Sequence, residues 1–416
     1  MDEKQHVAQI EWETIVPDKK NTWLTEGLHS EFDDFIPLGT KETKAASREI
    51  EGVLLKIFSL GVNTNRDTWA YNFNRQTLME NMSKMVETYN TEVDRWHNRT
   101  NKNAKLDDFV LSDETQIKWS SRLKECLLRG KKAFFAFDQI RHSLYRPFCS
   151  QFLFFDEILT HRQGQFPVIF PKTETENSVI CVSGVGSSKP FHTLAVNLIP
   201  GLDFLEKTQC FPFYTYLEDG TNRKENITDW ALNHYQNHYQ DNQITKWDIF
   251  HYIYGLLHHP TYREKYAANL KRELPRIPLA PNFWDFATAG KKLADLHRYY
   301  EQQPEYPLKL MDKADTPLDW RVEKMKLSRD KRQIIYNDSL TIGGIPPETF
   351  EYRLGNRSAL DWIIDQYRVK VDKRSGIVND PNRLDDEEYI VRLIGKVVLV
   401  SLETMKIVRI IEKLVL

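Results

Sequence analysis

The chain has 416 residues, 41% of them hydrophobic and 28% charged, with a formal net charge of -2; that is enough for roughly two or three domains. A near-neutral balance excludes a protein that holds polyanions by overall charge, so any nucleic-acid contact must come from cations gathered locally. Met1-Asp2-Glu3-Lys4 lacks the apolar core of a signal peptide, no stretch approaches a membrane span, and Cys126, Cys149, Cys181 and Cys210 are widely spaced without a CxxC pair. A cytoplasmic protein with reduced, buried, metal-free thiols is expected.

Residues 1 to about 56 are charged and lead through residues 50–58 into a polar turn at 61–66. Gly61, Asn63 and Asn65 favour turns because they tolerate unusual backbone angles or bond their own backbone. Asn63, Asn65 and Arg66 are also residue types that make forked hydrogen bonds to base edges or phosphates. Trp69, Tyr71 and Phe73 alternate, the spacing of a strand with one aromatic face. A strand carrying an Arg-bearing loop is one form of DNA reading head. It is also a surface loop on a half-buried strand, and the residues leave both readings open.

Leu78, Met82, Met85, Tyr89 and Val93 recur at helical spacing over 75–93, and a second helix is predicted over 121–131. This helix overlaps a basic run, Lys118, Arg122, Lys124, Arg129, Lys131 and Lys132, against the lone acid Glu125; Arg141, His142 and Arg146 follow. Such a run is either a phosphate-facing surface or a solvated helix face. From 148 to 213 short apolar runs (152–155, 168–170, 179–182, 194–198) are broken by Gly, Pro and Asn and read as strands. Helices return over 246–257, 260–274 and 283–300. Residues 301–333 are polar and read as loop, 334–336 with Leu340 as strand, and 359–367 and 387–416 as helices. The predicted class is mixed α/β (α+β): a helical N-terminal connector, a central mostly antiparallel β region and a helical C-terminal part.

Catalytic motifs are missing. Residues 184–190 lack the Gly-Lys-Ser/Thr end of a phosphate loop, and Pro190 blocks the helix that would follow, so they read as a turn between strands. Asn379-Asp380-Pro381-Asn382 lacks the second proline and the aromatic of a base-holding Asn-Pro-Pro-aromatic tetrapeptide. His234 and His238 have Tyr235, not Glu, after the first histidine, and His251, His258 and His259 sit among tyrosines, as satisfied histidines do. Cys149 adjoins an apolar strand and reads as a buried thiol. No catalytic, cofactor-binding or metal-binding residue is nominated.

Residues 61–73, Lys118-Trp119-Ser120, Tyr145-Arg146-Pro147-Phe148-Cys149, and residues 166–171, 209–212, 244–250, 252–258, 274–278, 289–297 and 375–382 resemble, in order, the C-terminal specificity region of type ISP restriction-modification enzymes. Those are single chains with a nuclease, a helicase-like motor, an adenine-N6 methyltransferase and a target-recognition domain. The resemblance implies that residues 1–57 are the trailing edge of a methyltransferase region and 58–416 the specificity domain, with a further division near 215–240 left open. It implies sequence-specific recognition of double-stranded DNA, positioning an adenine for a methyltransferase encoded upstream or on another chain. The nuclease, helicase and methyltransferase parts would be partners. S-adenosylmethionine, ATP and Mg would belong to the parent enzyme and none to this chain, which alone is expected to lack ATPase, nuclease and methyltransferase activity. The DNA-binding residues expected are Asn63, Asn65, Arg66, Lys118, Arg122, Arg141 and Arg146. A stand-alone hydrolase-like enzyme using cysteine and histidine, or a fragment without function, stays open at this point.

Overall fold

The computed structural model describes Pro17, Trp23 and residues 26–43, 50–314 and 316–416. Much of the predicted connector, and with it the opening residues 1–4, lies outside the described residues. Among those described before Ser59 there is no α-helix. There is a 3-10 turn, Ser30–Asp34, and a strand, Ile36–Pro37, that pairs antiparallel with Arg276–Ile277.

Two four-stranded sheets form the centre. The first has the order Ser59–Leu60, Gln209–Pro212, Val179–Val182, Thr193–Val196, antiparallel throughout. Its Val179–Val182 strand is buried at every position. Side chains alternate across a strand, so Val179 and Cys181 enter one apolar core while Ile180 and Val182 enter another. The sheet is the wall between the two cores. The second core joins Phe211 and Phe213 to Ile227 and Ala231, and so spans the 215–240 segment.

The second sheet runs Tyr71–Asn72, Cys149–Phe154, Ile140–Arg146, Ile199–Pro200, with only the last pairing parallel. Two strand expectations are corrected here. Asp67–Ala70 is a single helical turn, which sends Trp69 into a third, helical core and Tyr71 into the first. Phe166–Ile169 is also helical, with Pro167 in its first turn, where a missing N–H costs nothing.

The helix predicted over 75–93 runs as Arg75–His97 and buries the five residues of its stripe. Asn74 caps it by accepting the Thr77 N–H at 2.9 Å, and it packs against Ser121–Leu128 in the third core. In the C-terminal part, Lys246–Leu256 starts from a Thr245/Asp248 capping box and crosses Phe283–Arg298. Gly255 and Gly290 meet at the crossing: a Cβ on Gly290 would lie 2.7 Å from Gly255 N and overlap the His251 carbonyl oxygen. The closing helix is Tyr389–Ile411.

Residues 301–333, expected as loop, hold two strands. Lys309–Asp312 and Lys326–Leu327 join Leu340–Gly343 and Gln333–Ile335 in a third four-stranded antiparallel sheet, ordered 309–312, 340–343, 333–335, 326–327. Its polarity reflects an edge strand, Lys309–Asp312, that is exposed at every position, rather than missing structure.

Buried histidines tie this frame together. The Tyr254 hydroxyl accepts the Ala195 N–H at 2.8 Å and contacts His297 Nδ1 at 2.6 Å, while His297 Nε2 meets Thr404 Oγ1 at 2.8 Å. Burial, with Arg263 nearby, pushes the His297 pKa down to about 3, and burial pushes His192 and His251 to about 4. These folded values lie below the ordinary one. The unfolded chain therefore takes up protons that the folded chain refuses, and stability present above about pH 6.5 is lost on acidification. Each histidine is expected to remove about 1.4 kcal/mol per pH unit between pH 6 and 4. Urea unfolding at pH 7, 6 and 5 checks this; equal stabilities at the three values would refute it.

Candidate nucleic-acid interface

The 61–66 turn is built from its backbone outward. Gly61 N donates to Thr208 O at 3.0 Å and Val62 N to Pro200 O at 2.9 Å, and Gly61 lies so close to the Gly201 carbonyl that no Cβ fits. Asn63 exchanges backbone hydrogen bonds with Arg162, and its Oδ1 accepts the Asn65 N–H at 3.0 Å. Asn65, exposed and in the left-handed region at φ 54°, is the tip. Thr64 Oγ1 accepts the Arg66 N–H at 3.1 Å and donates to the Asp67 carboxylate.

Arg66 points the other way. It is 0% exposed; Nε donates to Lys118 O at 3.1 Å, Nη2 to Ser120 Oγ at 2.6 Å, and Nη1 to Leu159 O. Burial lowers its pKa to about 10, opposed by the nearby Asp156 carboxylate, so it stays charged at neutral pH. The surface role expected for Arg66 is therefore corrected. Its guanidinium bolts the turn to the 118–120 segment and to Leu159, leaving Asn65 exposed at the tip and Asn63 half-buried beside it.

The basic run is neutralised by Glu125 within it and by acids distant in sequence. Arg122 lies 3.6 Å from Glu157 and 3.9 Å from Glu125; Lys131 lies 3.4 Å from Glu157 and Lys132 2.8 Å from Asp94. Lys124 pairs with Asp107 and Arg129 with Glu125. Exposed pairs of this kind add little stability, but they cancel the local positive field. Lys118 contributes its carbonyl to Arg66 and keeps a half-buried side chain. Arg122, His161, Arg162 and Glu157 line an open, shallow depression beside the turn.

Arg141 is buried as well. Its Nη2 donates to Phe170 O at 2.8 Å and its Nη1 to Pro171 O at 3.4 Å, so it closes the 166–171 turn, which corrects its expected exposure. Arg146 is half-buried; it donates to Tyr145 O at 2.7 Å and lies 4.0 Å over the Tyr145 ring. Asn222, Arg223 and Lys224 are exposed, with Arg223 4.6 Å over Tyr214.

The 375–382 segment acts as a strap. Phe73 N donates to Asn379 Oδ1 at 2.9 Å, Asn379 Nδ2 donates to Gln151 Oε1 at 3.1 Å, and Val322 N donates to Asn382 Oδ1 at 2.8 Å. Both asparagines are used up in joining the Tyr71–Asn72 strand to the Val322 region. The 184–190 segment connects two antiparallel strands and is pinned by Glu206, which accepts from Ser187 Oγ at 2.7 Å and Ser188 Oγ at 2.9 Å. Among the described residues no three His, Cys, Asp or Glu side chains converge on a metal-sized site, and no helix is long and apolar enough to cross a membrane. His234 stacks on Trp230 and His251 on Trp247. All four cysteines are buried; Cys181 and Cys210 face each other with their sulfurs 3.9 Å apart.

Comparison with protein families matches residues 53–393 to the type ISP C-terminal specificity domain. Similar solved structures include a nuclease-deletion mutant of the type ISP restriction-modification enzyme LlaGI in complex with a DNA substrate mimic, at a TM-score of 0.84 and 33% identity over 98% of this chain and 31% of that one. A DrdV–DNA complex matches at 0.84 and 35% over 97% of this chain and 40% of that one. The ATP-dependent type ISP restriction-modification enzyme LlaBIII bound to DNA matches at 0.84 and 30% over 96% and 25%. This chain thus spans 25% to 40% of the length of those proteins. The comparison with curated proteins gives no match.

Proposed function

The chain belongs to the type ISP C-terminal specificity domain family, and we propose that it reads an asymmetric site on duplex DNA and holds that site for an adenine-N6 methyltransferase on another part or chain. The observation that carries this reading is the likeness, over at least 96% of the chain, to three proteins whose structures contain DNA or a DNA mimic. The nuclease, motor and methyltransferase would be its partners and would bind ATP, Mg and S-adenosylmethionine; this chain would bind none of them. A cytoplasmic location goes with that role.

Within the reading, Asn63 and Asn65 meet base edges from a turn held rigid from behind by Arg66. Lys118 and Arg146 meet phosphates, and Arg122 does so by giving up Glu157 and Glu125. Arg66 and Arg141 act through the backbone they hold. The test is retention of a random duplex library by the purified chain at two salt concentrations. The retained duplexes are expected to share a motif, with affinity falling as salt rises. Asn65→Ala is expected to relax the preference at one position, a discrimination of about 1–3 kcal/mol for a good two-pronged contact. Retention that is independent of sequence at both salts would overturn the reading.

A further inference from the structure

The 309–343 sheet has an unpartnered face with open charge. Partners across an antiparallel sheet point to the same side, so its registers define two outward rows. One row is Lys309, Gly343 and Gln333; the other is Met311, Thr341, Ile335 and Lys326. The opposite side carries Ile334, Leu340 and Ile342 into the first core, with Leu310 of the edge strand left 48% exposed beside them. The outer face is left bare: Ile335 is 47% exposed and Met311, lying over Gly343, is 37% exposed.

Its cations differ in kind from those of the 118–132 run. Lys309, Lys324, Lys326 and Arg329 are exposed and make no ion pair among the described residues, while Arg332 lies close enough to the Asp330 carboxylate to help lower its pKa. In this segment Arg321 is the paired one, with Glu323 and Asp380, each at 2.9 Å. Two nearby acids leave Lys309, Lys326 and Arg329 uncompensated. Asp330 is spent inside the hairpin turn, accepting from Ser328 Oγ at 2.6 Å and from Arg332 N at 3.1 Å. Asp312 alternates to the side away from Met311. The 326–335 hairpin ends in Arg329, Lys331 and Arg332, with Lys331 in the left-handed region at φ 57°. A two-stranded ribbon is narrow enough for the roughly 12 Å major groove.

We infer that this outer face and hairpin tip form a second DNA-contacting surface, on which Lys309, Lys326 and Arg329 meet phosphates while Gln333 and Ile335 face the groove. The inference rests on the DNA-recognition reading and places most of the phosphate contact here rather than on the 118–132 run. Unpaired cations spread over one face are complementary to an anionic partner, and duplex DNA presents one phosphate charge about every 1.7 Å of its axis.

The test measures affinity of the full chain for a retained duplex against salt. It compares wild type with the Lys309→Gln/Lys326→Gln/Arg329→Gln variant, its charge-keeping Lys309→Arg/Lys326→Arg/Arg329→Lys counterpart, and a Lys124→Gln/Lys131→Gln/Lys132→Gln control, each with its melting temperature. Each neutralised phosphate contributes about 0.9 to the slope of log affinity on log salt, so the first variant should flatten it by up to about 2.7. The charge-keeping variant and the control should keep the wild-type slope. A folded sheet variant with the wild-type slope overturns the inference, as does a flattened slope in the control alone. A wild-type chain that binds no duplex removes the recognition reading itself, and it is told apart because there is then no slope to compare.

Discussion

Arg66→Ala is expected to lower the unfolding free energy by about 3–5 kcal/mol while removing no single base preference. The substitution strands three acceptors at once: Lys118 O, Ser120 Oγ and Leu159 O. It also leaves the volume of a guanidinium empty in a region with no solvent. Ser120 Oγ takes the Leu123 N–H as the cap of the Ser121–Leu128 helix, so the loss spreads to that helix. Arg66→Lys is expected to recover little, because one ammonium on a flexible stem does not span a fork of acceptors. Urea unfolding gives the stability, and library selection on the remaining folded protein gives the base preference. A stable variant that loses discrimination at one position would return Arg66 to the DNA.

Gly290→Ala is expected to be as damaging by the opposite route. The Lys246–Leu256 and Phe283–Arg298 helices approach until backbone touches backbone, and one added methyl falls on the His251 carbonyl oxygen and 2.7 Å from Gly255 N. No flexible side chain stands there to yield, so the helices must part, drawing Tyr252 and Phe286 out of register in the second core. Overpacking typically costs about 1–3 kcal/mol, and a backbone-on-backbone clash belongs at or above the top of that range. Gly255→Ala, whose Cβ overlaps the Phe286 carbonyl oxygen, should behave alike. A melting temperature unchanged in either variant would contradict the crossing.

Long periodic patterns were legible in the chain. The stripe from Leu78 to Val93 is buried as its spacing requires, and the apolar run 179–182 is a strand buried on both faces. Several of the blocks that carry the family resemblance pack on one another. Arg66 of the first block takes acceptors from the Lys118–Ser120 block, Asn379 of the last reaches back to Phe73, and Gly255 and Gly290 come from two blocks that cross. What local reading missed is long-range. Arginine is rarely buried, and nothing near Arg66 announces an acceptor 93 residues away. The 118–132 run looked unbalanced because Asp94, Asp107 and Glu157 lie beyond its ends. The 301–333 segment looked unstructured because the Lys309–Asp312 edge strand is exposed at every position and both strands are too short for alternation to stand out.

The Val179–Val182 strand, with one core on each side, also limits how such a domain can change its target. Melting either core strips one row of that strand's side chains, so the halves have no separate existence to trade. A chimaera that splices the first half of one relative to the second half of another would mismatch both faces of a single wall. On the proposed reading, new specificity would then arise by exchanging the whole domain, or by resurfacing the exposed turn at Asn65 and the rim of the outer sheet rather than the wall between the cores.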